Sequence, residues 1–95
     1  MAGQKSELST LKNIGKASER WLNSLGVYTR DDLKEMGAVE AYKLLKGRGA
    51  PVSLNLVYAI EGALMDAAIA ELPQELKDSL RIECEEFDRQ QLYKR

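Results

Sequence analysis

Between Leu11 and Gly37 the chain reads LKNIGKASERWLNSLGVYTRDDLKEMG, a run of short apolar series separated by single glycines. Leu11 and Ile14 lead into Gly15. Trp21, Leu22 and Leu25 run up to Gly26, and Leu33 and Met36 stop at Gly37. Each glycine stands where a helix must end or the backbone reverse. The expected local structure is therefore helix, tight turn, helix, second turn, helix. No stretch of the chain reads as a strand, so a bundle of short helices is the fold left open.

The details of that stretch follow from capping chemistry. Ser9 or Thr10 is placed to cap a first short helix containing Leu11. A second helix is predicted from about Ala17 to Leu25, with Trp21, Leu22 and Leu25 turned to one side. Thr29 followed by Asp31 and Asp32 reads as a helix start: a capping hydroxyl, then carboxylates at the positive end of the dipole. The two aspartates are accordingly assigned to that start and not to a metal site. A further helix takes Val39, Tyr42, Leu44 and Leu45. Gly47-Arg48-Gly49-Ala50-Pro51 is a connector, because it lacks the spacing and the Lys-Ser/Thr of a phosphate-binding P-loop.

Ser53 is placed to cap the longest apolar segment, LNLVYAIEGALMDAAIAE. Leu56, Ile60, Ala63, Leu64 and Ala67 form one stripe, and Leu54, Val57, Tyr58, Met65 and Ala68 its neighbour. Apolar residues over so wide an arc predict a helix surrounded by others, the central post of the bundle. Gly62 within it costs about 1 kcal/mol relative to alanine, which close approach by another helix would explain. Glu61 falls inside the apolar arc and needs donors; a neighbouring helix start or the indole N–H of Trp21 is expected to supply them. Leu72-Pro73 breaks the chain. A last helix, about 74–93, carries Leu76, Leu80, Cys84 and Phe87 on one face and charge on the other.

Composition narrows the functional classes. Ninety-five residues with 44% hydrophobic and 31% charged side chains make one soluble folded domain, residues 1–95, and argue against disorder. No apolar run approaches the roughly 18 residues of a membrane span, and the first residues, MAGQKSELS, show no secretory signal. The single cysteine, Cys84, permits no internal disulfide and suits a reducing, cytoplasmic setting. Histidine is absent, which removes the commonest general base and the commonest metal ligand together. With no nucleophile-base pair or metal cluster, the chain is expected to be no enzyme, to need no cofactor and to take no small-molecule substrate. The net charge of −1 conceals a split: residues 1–50 hold nine basic and six acidic side chains, residues 51–95 five and nine.

That positive excess lies in the half containing Asn13-Ile14-Gly15-Lys16, a series that resembles the hairpin of helix-hairpin-helix nucleic-acid-binding domains. A tight turn leading into a helix leaves successive backbone N–H groups pointing outward. With the positive end of the helix dipole behind them they can donate to a phosphate oxygen. Gly15 has no side chain to block the approach, Lys16 adds charge, and Lys12 and Arg20 flank it. Ile14 is expected to face inward and lock the turn. Contacts of this kind read backbone and shape, so binding would be independent of sequence. Two or three phosphates give a Kd of about 10⁻⁴ M or weaker. The alternative is that the hairpin only holds two helices together.

A wider resemblance joins these blocks. N-I-G-K at 13–16, W-L at 21–22, L-G-V at 25–27, G-A-V-E-A-Y at 37–42, S-L-N-L-V-Y-A-I-E-G-A-L at 53–64 and L-P at 72–73 together look like the C-terminal domain of the TfoX/Sxy proteins, bacterial regulators of natural competence. The likeness covers about residues 8–75. It implies an all-α, SAM-like bundle of about five to six helices with a helix-hairpin-helix-like first half, acting beside a cyclic-AMP-responsive transcription regulator. Two features differ: full-length members carry an α/β domain ahead of this one, and Met65-Asp66-Ala67-Ala68-Ile69 stands where a small residue and an aromatic pair are expected. The chain thus reads as a stand-alone copy. Its expected role is to bind DNA or a DNA-bound transcription regulator through Lys12, Asn13, Ile14, Gly15, Lys16 and Arg20. The alternative is a protein-interaction or homodimerisation module using the last helix or the acidic half.

Overall fold

A computed structural model describes residues 6–93. Among them are five α-helices and no strand: α1 (Lys16–Ser24), α2 (Arg30–Met36), α3 (Ala38–Gly47), α4 (Leu54–Met65) and α5 (Gln74–Tyr93). Two single 3-10 turns, Leu8–Thr10 and Ile69–Glu71, precede α1 and α5. The bundle is all-helical, as the glycine-punctuated pattern requires.

Local chemistry explains most of the boundaries. Thr29 caps α2 by accepting the Asp32 amide at 3.0 Å, while Asp32 Oδ2 accepts the amides of Thr29 at 3.2 Å and Tyr28 at 3.0 Å. This reciprocal arrangement satisfies donors the helix itself cannot. At the other end of α1, Gly26 sits at φ +85°; its amide reaches Asn23 O at 2.9 Å and the Val27 amide reaches Leu22 O at 3.0 Å. That is the Schellman pattern of a left-handed stop. Pro73 lies immediately before α5, its carbonyl accepting the Lys77 amide at 3.1 Å.

Two consequences of the Thr29–Asp32 pairing can be measured. Thr29→Ala is expected to cost about 1 kcal/mol of unfolding free energy in a urea titration. The Tyr28 amide, together with the amide and hydroxyl of Thr29, holds the Asp32 carboxyl below its ordinary 3.8. A depressed folded-state pKa supplies stability above the unfolded value, and that stability disappears as the pH falls through the folded one. Unfolding free energy should therefore decline once the pH drops below about 4. Asp32→Asn should show a shallower decline over the same range.

Helix α4 is the post. Leu56, Val57, Ala59, Ile60, Gly62 and Ala63 are buried on it, and α2, α3 and α5 all pack against it. Around it gather Leu8, Ile14, Leu22, Val27, Leu33, Ala41, Tyr42, Leu45, Val52, Leu80 and Cys84 in one apolar cluster. From α5, Leu80 and Cys84 are buried, with Leu76 and Phe87 beside them. Burial and the Asp88 and Glu83 carboxylates push the Cys84 thiol up to about 11, so it behaves as a small apolar residue. Tyr42 closes the α3–α5 seam. Its hydroxyl donates to Asp88 Oδ2 at 2.9 Å, and its ring meets Phe87 edge-on at 6.3 Å.

Several expectations are corrected. Leu11 is not helical: only Leu8–Thr10 forms a 3-10 turn, and Leu11 is extended at φ −82°, ψ 151°. The reason is Asn13, which takes a left-handed φ of +70° and turns the chain before a helix can propagate. The central helix stops at Met65 rather than running to Glu71, because Asp66 adopts φ +55°, ψ 43°. Ala67 therefore leaves the stripe, while Met65 and Ala68 are exposed. Ser53 stands at the α4 N-cap position without a side-chain capping bond. Among the described residues Glu61 finds neither the indole nor a helix start; its half-buried stem lies on the post, and with no buried polar atom left unpaired among those residues its carboxylate reaches solvent.

The close approach at Gly62 is made by something other than a helix. After Asp66 the chain doubles back, and the Ala67 amide bonds Gly62 O at 2.8 Å. A methyl carbon placed on Gly62 falls 2.6 Å from the Ala67 carbonyl oxygen and 2.5 Å from Asn13 Nδ2. Asn13 Nδ2 donates to that same Ala67 carbonyl at 2.9 Å. The hairpin is thus joined to the end of the post through one amide side chain.

Candidate nucleic-acid interface

The exposed corner of the molecule is the start of α1. Gly15 occupies its N-cap position with an extended backbone, and no side chain caps it. No acceptor among the described residues engages the amides of Gly15, Lys16, Ala17 or Ser18. Helix α1 thus presents its first-turn donors outward, at the positive end of its dipole. Lys12, Asn13, Gly15, Lys16, Ala17 and Arg20 are all exposed there, and Ile14 is buried at 5% exposure beneath them. The terminal helix packs on α3 and α4 and leaves this corner open.

The six residues singled out from sequence do not share one function in this geometry. Lys12, Lys16 and Arg20 are exposed and in no ion pair within 4.0 Å among the described residues. Gly15 provides the bare approach. The Ile14 amide, however, donates to Leu11 O at 3.3 Å, and the Asn13 side chain is directed at Ala67. These two position the turn, and the available donors begin at Gly15 and continue into α1. Glu19 is the one carboxylate in that first turn. Its Oε2 accepts the Ser9 amide at 3.2 Å. The Ser6 hydroxyl, the Ser9 amide and Lys16 hold its carboxyl below the usual range. It joins the Leu8–Thr10 turn to α1.

Two features escaped the sequence reading. Trp21, expected on one side of the helix with Leu22 and Leu25, packs against the core with part of its ring and leaves the rest open. It lines an open groove of about 500 Å³ with Ala17, Arg20 and Ser24. The 17, 21, 24 spacing along α1 was the available signal. Arg48, placed in a connector, donates from Nη1 to Ser24 O at 3.0 Å and brings another cation to the end of the same helix. Arg30 likewise reaches the Leu64 carbonyl, so a second side chain besides Asn13 serves the C-terminal carbonyls around α4.

Among the described residues, four helices around a fifth apolar one, with an uncapped helix start as the open corner, define a small all-helical bundle. The family model of the TfoX C-terminal domain matches residues 4–84, and the chain belongs to that family. Two solved structures are similar to it, both from Listeria monocytogenes. An uncharacterized protein in a triclinic form is 34% identical, over 78% of this chain and 84% of its own, with a TM-score of 0.73. A protein of unknown function in a tetragonal form is 31% identical, over 84% of this chain and 99% of its own, with a TM-score of 0.78. No curated protein matches the chain.

Proposed function

We propose that this domain is a non-enzymatic accessory module that binds the phosphate backbone of DNA, alone or within a transcription complex, through the start of α1. The observation that supports it is the uncapped first turn at Gly15–Ser18, flanked by exposed Lys12, Lys16 and Arg20. Donors aligned with a helix dipole and three nearby cations make a donor site for phosphate oxygens, a contact that reads backbone and not base edges. Membership of the TfoX C-terminal family gives the reading its setting, transcription regulation of the competence type. No helix among the described residues is long and apolar enough to cross a membrane.

Fluorescence anisotropy with a labelled duplex tests this. Binding should be weak, with a Kd of about 10⁻⁴ M near physiological salt, tighter at low salt, and the same for unrelated sequences. Lys16→Glu should abolish it while leaving the far-UV circular dichroism unchanged, since Lys16 is exposed. Absence of binding at low salt, or binding indifferent to Lys16→Glu, overturns the reading.

A further inference from the structure

The outer face of α1 has a character that phosphate binding does not require. Its groove has an apolar floor from Ala17 and Trp21, with Arg20 and Ser24 at its sides, and no carboxylate lines it. Lys16 lies one helical turn before Arg20, and Arg48 stands at the far end against the Ser24 carbonyl. A part-exposed tryptophan beside arginines is the residue combination that dominates protein interfaces.

The complementary surface is on the same chain. Helix α5 turns Leu80 and Cys84 to the core. On its opposite face Glu75, Ser79, Ile82 and Glu86 follow at successive turns, with Glu83 beside them. Ile82 is 48% exposed, and among the described residues no cation pairs with Glu75, Glu83 or Glu86. Ile82 is an aliphatic knob with the free carboxylates of Glu75, Glu83 and Glu86 along one side, while on its other side Asp78 and Glu85 are paired with Arg81 at 3.4 Å. The α1 groove is an apolar hollow set among cations. The opposite charge excess of the two halves of the chain has the same sense.

We infer that the occupant of the α1 groove is a second copy of this chain. The outer face of α5 from one copy lies along α1 of its neighbour, Ile82 enters between Ala17 and Trp21, and Glu83 and Glu86 meet Arg20 and Arg48. The contact is head-to-tail, since the two surfaces differ, so assemblies grow by repetition or close as a ring. It is rich in exposed charge, so it is weak and salt-sensitive. It shares Arg20 with the proposed nucleic-acid corner, and duplex DNA and a second copy compete there. The inference stands without the DNA reading, because none of its contacts requires phosphate.

Sedimentation velocity of the full chain over a concentration series reads it out. Emission of Trp21, the one tryptophan in the sequence, gives a second signal, because covering the groove shifts it to shorter wavelength. Association should weaken about tenfold between about 50 mM and 500 mM salt. Arg20→Glu and Glu86→Arg should each weaken it about tenfold, and an equimolar mixture of the two variants should associate again, because each then meets a complementary face of the other. Both positions are exposed, so the variants should fold, which circular dichroism checks. A protein that sediments as a monomer at low salt up to about 1 mM overturns the inference. So does self-association that neither variant weakens, or a mixture that stays monomeric. Absence of DNA binding by the parent protein, with its self-association intact, would count against the nucleic-acid reading alone.

Discussion

Replacing Gly62 by alanine is expected to destabilise the domain by about 2–3 kcal/mol, lowering Tm by about 10–20 °C. Helix propensity alone gives the opposite sign, since alanine gains about 1 kcal/mol over glycine inside a helix. Packing decides the outcome. The added carbon would lie 2.6 Å from the Ala67 carbonyl oxygen and 2.5 Å from Asn13 Nδ2. The asparagine can move, at the loss of its bond to Ala67, worth about 1 kcal/mol. The carbonyl cannot move so readily, because it belongs to the backbone reversal that ends α4, tied by the Ala67 amide to Gly62 O at 2.8 Å. Overpacking of this kind costs about 1–3 kcal/mol or more.

The same substitution should weaken DNA binding, because Asn13 holds the corner whose amides are proposed to receive phosphate. A double-mutant cycle separates the two effects. In an Asn13→Ala background, Gly62→Ala should cost about 1 kcal/mol less than in the parent, since one of the two collisions has already gone. Thermal melts of the four proteins give the coupling, and strict additivity would refute the three-part junction of Gly62, Ala67 and Asn13.

Gly37→Ala is expected to cost about 2 kcal/mol for a different reason, read as a lower midpoint in urea with an unchanged slope. Gly37 ends α2 and begins α3 with one residue, its amide donating to Leu33 O at 2.8 Å and its carbonyl accepting the Ala41 amide at 3.2 Å. To do both it takes φ +83°, ψ 157°, a region essentially reserved to glycine. Nothing lies within 4 Å of a carbon added there. The cost is therefore torsional, and no partner mutation should relieve it. Gly62→Ala and Gly37→Ala thus form a pair: similar losses, one rescued in part by removing a neighbour and one not.

Charge at the corner behaves less simply than its count. Residues 1–50 carry the positive excess. Yet Arg30 is directed at the Leu64 carbonyl and Arg48 at that of Ser24, so neither stands at the Gly15 corner. Lys46 lies 5.5 Å over the Tyr42 ring and 4.0 Å from Asp88. Lys12, Lys16 and Arg20 are what remain around Gly15, enough for the two or three phosphates of weak binding.

What the amino-acid order determined by itself is the local part. The stops at Gly26 and Gly37, the Thr29 start, the break at Leu72-Pro73 and the wide apolar arc of α4 each depend on residues within a turn or two of one another, where periodicity and capping act directly. The family likeness was legible for the same reason, since its blocks are such local units. The tertiary structure alone decided why Gly62 is glycine, where Asn13 points, why Glu61 reaches water and which face of Trp21 stays open. Asn13 and Ala67 meet across 54 positions of sequence. No local pattern encodes a hydrogen bond over that separation; it exists only once Asp66 has turned the chain back and the core has brought the hairpin beside it.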